Sequence, residues 1–353
     1  MYGINMEKSM NELFEMQKKC AKGIDVMLNM KDAEVDATPK ELVYEEDKMK
    51  LYHYKPLVKN PCKVPTLITY ALVNRQYMMD IQQDRSVIKN LLELGLDLYI
   101  IDWGYPTAED MYLTMDDYIN GYMNNAADYI MKSKKLDKLN LIGVCQGGTF
   151  STIYSALHPE KVKNLVTMVT PIDFDTNDGL LFKWGKYLNI DSMVDAYGNI
   201  PGSLMNSGYM MLKPFQLMLD KYIGVVDNMD SPDIMQNFMR MEKWIFDSPD
   251  QAGETIRQFV KDLYQENKLI KGTLELGGNK VDLKNINMPL LNIYAEHDHL
   301  VPPSASIPLN DLVSSKDTKL YPVPVGHVGM YVSSKSQRDV APTLATWIKE
   351  RSK

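Results

Sequence analysis

The stretch Gly143-Val144-Cys145-Gln146-Gly147-Gly148 constrains this chain more than any other. Before it, Lys138-Leu139-Asn140-Leu141-Ile142 has the length and composition of a short buried strand. After it, Thr149 to His158 reads as a helix that begins on small residues. A strand that passes into a helix over so few residues must turn sharply. Glycines around Cys145 supply the backbone freedom and close approach such a turn needs, and they place a thiol at its tip.

The surrounding sequence repeats this rhythm. Apolar runs lie at Leu67-Ile68-Thr69-Tyr70-Ala71-Leu72-Val73, Leu96 to Ile101, Leu139 to Ile142 and Leu165 to Val169, with helical patterns at Ser86 to Leu94 and Met115 to Ser133 between them. Such βαβ alternation predicts a mainly parallel sheet covered on both faces. Strand character resumes at Leu290 to Tyr294 and Lys319 to Tyr321, and a last helix is expected from Val340 to Lys349. Gly277-Gly278-Asn279 reads as a turn between short strands.

Two segments break the rhythm. Residues from about 5 to 60 carry mixed charge with scattered Met10, Leu13, Met16, Met27 and Met30, which predicts one or two amphipathic helices and then a strand near Leu51 to Tyr54, together a peripheral layer. Between 175 and 270 the chain turns rich in Met, Tyr and Trp, including Trp184, Tyr187, Tyr209, Met210, Met211, Phe215, Tyr222 and Trp244. This reads as a helical insertion positioned over Cys145. The expected organisation is a peripheral N-terminal segment (1–62), a first core part with the sharp turn (63–174), an apolar helical cap or lid (175–270) and a second core part (271–353).

Composition excludes several classes. With 353 residues, 45% hydrophobic and 24% charged, the chain has the make-up of an ordinary globular protein, and a net charge of −7 offers no overall field for nucleic acid. Cys20, Cys62 and Cys145 are too few and too scattered for a disulfide framework or zinc site. No secretory signal and no transmembrane run of about 18 apolar residues is recognisable, so a cytoplasmic location is expected.

A nucleophile needs a base, and the base needs a group to orient it. In α/β-hydrolases these follow in the order nucleophile, acid, histidine, after successive strands. Asp298 follows the Leu290–Tyr294 strand, and His327 follows Leu320-Tyr321 within Gly326-His327-Val328-Gly329, where the glycines predict close backbone approach. The expected fold is therefore an α/β-hydrolase with a helical cap. An oxyanion hole should use the backbone N–H of Gln146 and one near Val73-Asn74, with Val73 the positional choice. The run Glu296-His297-Asp298-His299 also invites a metal reading, but without a remote third ligand set no metal is expected, and Asp298 as orienter of His327 explains more.

The box around Cys145, together with Tyr70-Ala71-Leu72-Val73-Asn74-Arg75, Ile101-Asp102-Trp103-Gly104-Tyr105-Pro106, Asp117 to Tyr122, Met241 to Asp247, Asp298 to Pro303 and Gly326 to Gly329, resembles the polyhydroxyalkanoate synthases over nearly the whole chain. Its length resembles the catalytic C subunit of the class III enzymes. The resemblance implies Cys145 as acylated nucleophile, His327 as general base and Asp298 as acidic partner or as activator of the incoming hydroxyl. It implies short-chain 3-hydroxyacyl-CoA substrates, with CoA carried in by the substrate and released, so that no separate cofactor is expected. It also implies an E-type accessory subunit, a homodimer within a hetero-complex, and a place at the surface of cytoplasmic polyester granules. A cysteine-based hydrolase of the dienelactone-hydrolase type and a non-catalytic granule-surface or scaffold protein remain as alternatives.

Overall fold

A strand hidden on both faces need not alternate apolar with polar residues, and Leu139–Val144 is buried at all six positions. In the computed structural model, which describes residues 6–29 and 34–352, this strand lies inside an eight-stranded sheet. Met30 and the first five residues, named above, lie outside the described residues. The sheet strands are β1 (Lys40–Glu46), β2 (Met49–Tyr54), β3 (Thr66–Thr69), β4 (Leu98–Asp102), β5 (Leu139–Val144), β6 (Val162–Met168), β7 (Leu290–Ala295) and β8 (Thr318–Val323).

Their spatial order is β1-β2-β4-β3-β5-β6-β7-β8. Every pairing from β4 to β8 is parallel, while β2 runs antiparallel to both β1 and β4. Successive side chains point to opposite faces, so each strand feeds two cores. On one face Leu67, Ile101, Leu141 and Leu165 pack with Ile130 and Ile153, from helices α3 (Asn124–Lys134) and α4 (Gln146–Leu157). On the other, Ile68, Ile100, Ile142 and Val166 meet Ile88 and Leu344, from α2 (Val87–Glu93) and the C-terminal helix Ser334–Arg351.

The N-terminal segment departs from the expected peripheral layer. Met6–Asn29 is a single helix, α1, but residues 40–54 form two strands of the main sheet, with Met49, Leu51 and Tyr54 buried in its cores. The strand expected near Leu51 to Tyr54 is β2, while β1 was hidden because it is an edge strand whose Lys40, Glu41, Glu45 and Glu46 break the apolar pattern. Two further differences are local. The first apolar run stops being a strand at Thr69, and Tyr70 to Arg75 become the loop beside Cys145. The last helix begins at Ser334 rather than Val340, because its first turns are polar.

Between β6 and β7 stand the helices α5 (Leu180–Tyr187), α6 (Ile190–Tyr197), α7 (Gly202–Met211), α8 (Lys221–Asn228), α9 (Pro232–Phe246) and α10 (Gly253–Gln258). Ile190, Val194, Ile200, Ile256 and Val260 give this insertion a small core of its own. Gly277 and Gly278 turn between the short strands Glu275–Leu276 and Asn279–Lys280, both with positive φ. Among the described residues no helix is long and apolar enough to cross a membrane.

Candidate active site

Strand β5 ends at Val144 and α4 starts at Gln146, so Cys145 alone makes the turn, with φ +54° and ψ −125°. A side chain rarely tolerates that conformation, which here is held by the Cys145 N–H donating to Met168 O at 2.9 Å and the Gly148 N–H donating to Cys145 O at 2.8 Å. The glycines are required by space. A Cβ on Gly147 would lie 2.3 Å from Thr69 O and 2.4 Å from Tyr70 O, and one on Gly148 would lie 1.8 Å from Thr170 Oγ1. The absence of a side chain at both positions lets the first turn of α4 press against the end of β3 and the segment that leaves β6.

Asp298 and His327 meet on loops that leave β7 and β8, neighbouring parallel strands. His327 Nδ1 lies 2.7 Å from Asp298 Oδ2, and Asp298 Oδ1 accepts from the N–H groups of Leu300 and Val301 at 2.8 and 2.9 Å. Both side chains are buried. The carboxylate thus has its orientation set by two backbone donors and presents its second oxygen to the imidazole. Burial by itself would lower the His327 pKa, but the charges of Asp298 and then Cys145, with hydrogen bonds to both, hold it well above its usual value. With Nδ1 committed to Asp298, Nε2 is the nitrogen left to face the thiol.

The glycines beside His327 do less than their spacing suggested. A Cβ on Gly326 would meet His297 O at 3.6 Å, an ordinary contact, and one on Gly329 would come to 3.2 Å from Val325 Cβ, a tight contact but with a side chain. Neither marks an unusually close backbone approach. His299 is half-buried, and its pKa is lowered chiefly by burial and then by Lys213. Among the described residues no cluster of three or more His, Cys, Asp or Glu side chains is arranged to hold a metal ion.

The loop after β3 lies beside the turn. The Leu72 N–H donates to Gln146 Oε1 at 3.0 Å, so that donor is already used, while the Val73 N–H has no protein acceptor among the described residues. Sequence reasoning named the backbone of Gln146 and missed its side chain. Nothing in local spacing announces a bond between positions separated by 74 residues.

Phenolic side chains complete the surroundings. Tyr331 stands edge-on to His327 and Tyr70, with ring centroids at 6.3 and 6.2 Å. The Tyr70 and Tyr331 hydroxyls are held well above the usual phenol range, first by burial and then by neighbouring charge that includes Cys145. Tyr209 on α7 and Tyr264 after α10 are raised in the same way, burial first, with Cys145 again among the causes. Side chains of the helical insertion therefore lie within electrostatic reach of the thiol, which is itself half-buried.

Known proteins resemble this arrangement at two levels. The family described as alpha/beta hydrolase fold matches residues 77–333, and that described as poly-beta-hydroxybutyrate polymerase (PhaC) N-terminus matches residues 7–91. A solved monoacylglycerol lipase from Paleococcus ferrophilus superposes with a TM-score of 0.54 at 13% identity, over 85% of this chain and 99% of that one, a likeness of fold alone. Full-length sequence similarity goes further. The chain is 53% identical to the poly(3-hydroxyalkanoate) polymerase subunit PhaC of Allochromatium vinosum, over 99% of both. It is 52% identical to the proteins of the same name from Thiocystis violacea, over 99% of both, and Synechocystis sp., over 99% of this chain and 94% of that one. A thiol on a sharp strand-to-helix turn, a carboxylate-bound histidine beside it and this identity along the whole length place the chain in the poly(3-hydroxyalkanoate) polymerase subunit PhaC family.

Proposed function

We propose that this chain polymerises short-chain (R)-3-hydroxyacyl-CoA, such as 3-hydroxybutyryl-CoA, into polyester through a thioester on Cys145. His327 Nε2 takes the proton from Cys145 Sγ, and the sulfur attacks the thioester carbonyl. The oxygen that gains charge is met by the N–H groups of Val73 and Gln146. Collapse of the tetrahedral adduct expels CoA sulfur, which takes the proton back from His327. One thioester has replaced another, so the acyl group stays activated.

The second half explains the residue type. The 3-hydroxyl of the next unit or of the growing chain loses its proton to His327, or with help from Asp298, and attacks the Cys145 thioester. An oxoester forms and the sulfur leaves, regaining the proton. This step runs downhill because an oxoester is less activated than a thioester. A serine at position 145 would hold the acyl group as an oxoester and forfeit that drop. Water competes for the same intermediate, and the insertion carrying Tyr209 and Tyr264 serves as the apolar lid that excludes it.

The observation that carries this reading is the 2.7 Å contact between His327 Nδ1 and Asp298 beside a cysteine held at φ +54°. Full-length similarity to the named polymerase subunits supports it. The chain acts as the C subunit of a class III enzyme, as a homodimer joined by an E-type subunit at the surface of polyester granules in the cytoplasm. CoA enters on the substrate and leaves as product. The test is incubation with 3-hydroxybutyryl-CoA, with and without an E-type subunit. Insoluble polyester and a mass adduct on the Cys145 peptide are expected, and both should vanish in Cys145→Ala. Release of free hydroxy acid without polymer would instead make the chain a hydrolase.

A further inference from the structure

The loop that carries Val73 is held from both sides by side chains whose purpose the fold alone does not explain. On one side Leu72 is clamped twice, its N–H by Gln146 Oε1 at 3.0 Å and its carbonyl by Gln251 Nε2 at 3.3 Å. On the other, Arg75 O accepts from Trp244 Nε1 at 2.8 Å. Between them Asn74 sits at φ +59°, and its Nδ2 reaches Ser248 Oγ at 2.5 Å and Ile245 O at 3.4 Å. Ser248 Oγ in turn donates to Asn206 Oδ1 at 3.0 Å, on α7. Every one of these partners except Gln146 belongs to the helical insertion.

Within this clamped span the N–H groups of Val73, Asn74 and Arg75 have no protein acceptor among the described residues, and Val73 is the one that directly follows the Leu72 clamped to the Cys145 helix. Backbone donors away from solvent are rarely left unpaired, and an unpaired N–H on a half-buried residue beside a clamped one is a donor able to meet an acceptor that arrives with substrate. We propose that Asn74 and Gln146, through their side chains, are positioning residues that hold the Val73 N–H where a thioester oxygen acquires charge. Asn74 fixes that position against the anchor of the insertion at residues 244–248, and Gln146 fixes it against the Cys145 helix. The left-handed backbone of Asn74 makes the turn directly after Val73, and its amide pins that turn to Ser248 and Ile245. The inference rests on the acyl-enzyme reading above.

Two reactions of Cys145 separate positioning from general packing. Acylation by 3-hydroxybutyryl-CoA needs the oxyanion donors, whereas alkylation by iodoacetamide needs only a reactive, accessible sulfur. Asn74→Gly keeps the positive φ and cuts the ties to Ser248 and Ile245. Gln146→Met keeps length and the backbone N–H but removes the acceptor for Leu72. In each variant the acylation kcat is expected to fall about ten- to a hundredfold with KM little changed, since a donor displaced by about an ångström loses transition-state stabilisation. The iodoacetamide rate should match that of the unsubstituted protein. Unaltered acylation, or an equal fall in both reactions, in whichever variant folds would overturn the assignment. Failure of the unsubstituted protein to form an acyl thioester at Cys145 would overturn the proposed function instead.

Discussion

His327 Nδ1 lies 2.7 Å from Asp298 Oδ2, and this contact decides how the imidazole titrates. Burial pulls the pKa down, and the carboxylate and Cys145 pull it up and prevail. Because the folded value lies above the unfolded one, the folded protein holds a proton that the unfolded chain releases. The resulting stability is fully present below about pH 6.5 and is lost as pH rises through the elevated folded value. Asp298→Asn removes the larger part of the upward push, leaving that of Cys145 against burial. The stability gap between the unsubstituted protein and Asp298→Asn is therefore expected to be widest near pH 6 and to narrow as pH rises. Urea unfolding across that range measures it, and a gap that widens with pH would contradict the assigned direction.

The glycine that follows Gln146 makes a sharper structural test. Its virtual Cβ meets the carbonyl oxygens of Thr69 and Tyr70 at 2.3 and 2.4 Å, and carbonyls at the end of a central strand cannot swing aside as a side chain can. Gly147→Ala is expected to cost about 1–3 kcal/mol of stability, as overpacking in a dense core does. Gly208, whose virtual Cβ has open space around it, is the control. Denaturant unfolding of Gly147→Ala and Gly208→Ala compares them directly.

The legibility of this chain follows burial. Strands β3 to β7 are covered on both faces and therefore stand out as apolar runs, which also reveals the ends where Cys145 and Asp298 sit. The edge strand β1 shows charged residues to solvent and leaves no such run. Likewise the Met115–Ser133 helix resolves into a π-helical turn at Asp117–Met123 followed by α3, a change of hydrogen-bond register that the apolar pattern does not encode. The clamps on Leu72, Asn74 and Arg75 join positions 74 to 179 residues apart, and all but the Leu72–Gln146 bond exist only once the insertion has packed.

Next to that clamped loop, Arg75 and Asp102 form a buried pair at 2.7 Å, and Arg75 also donates to Gly104 O at 3.2 Å while its guanidinium lies 4.3 Å from the Tyr105 ring centre. Removing one member leaves the other charged and dry. Asp102→Ala is expected to cost about 3–5 kcal/mol, and the pair of changes Arg75→Met and Asp102→Leu should restore much of that loss. A urea denaturation series on the single and double variants tests this, and a double variant no more stable than Asp102→Ala would show that the pair holds the loop by more than its charge.

At Cys145 itself the position of the thiol and the stability of the turn pull against each other. Its φ of +54° with ψ of −125° lies where glycine is at ease and a side chain is strained, a penalty of roughly 1–3 kcal/mol. Glycine would relieve that strain but would add about 0.5–1 kcal/mol of chain entropy to the unfolded state. The thiol is half-buried and small, so the packing it gives to the two cores is limited. Cys145→Gly should therefore be more stable than the unsubstituted protein by about 1 kcal/mol, the balance of those two terms, while forming no acyl adduct. A raised urea midpoint with an unchanged slope would show that strain is retained there for the sake of the sulfur's position, and a lowered midpoint would show that the turn is relaxed.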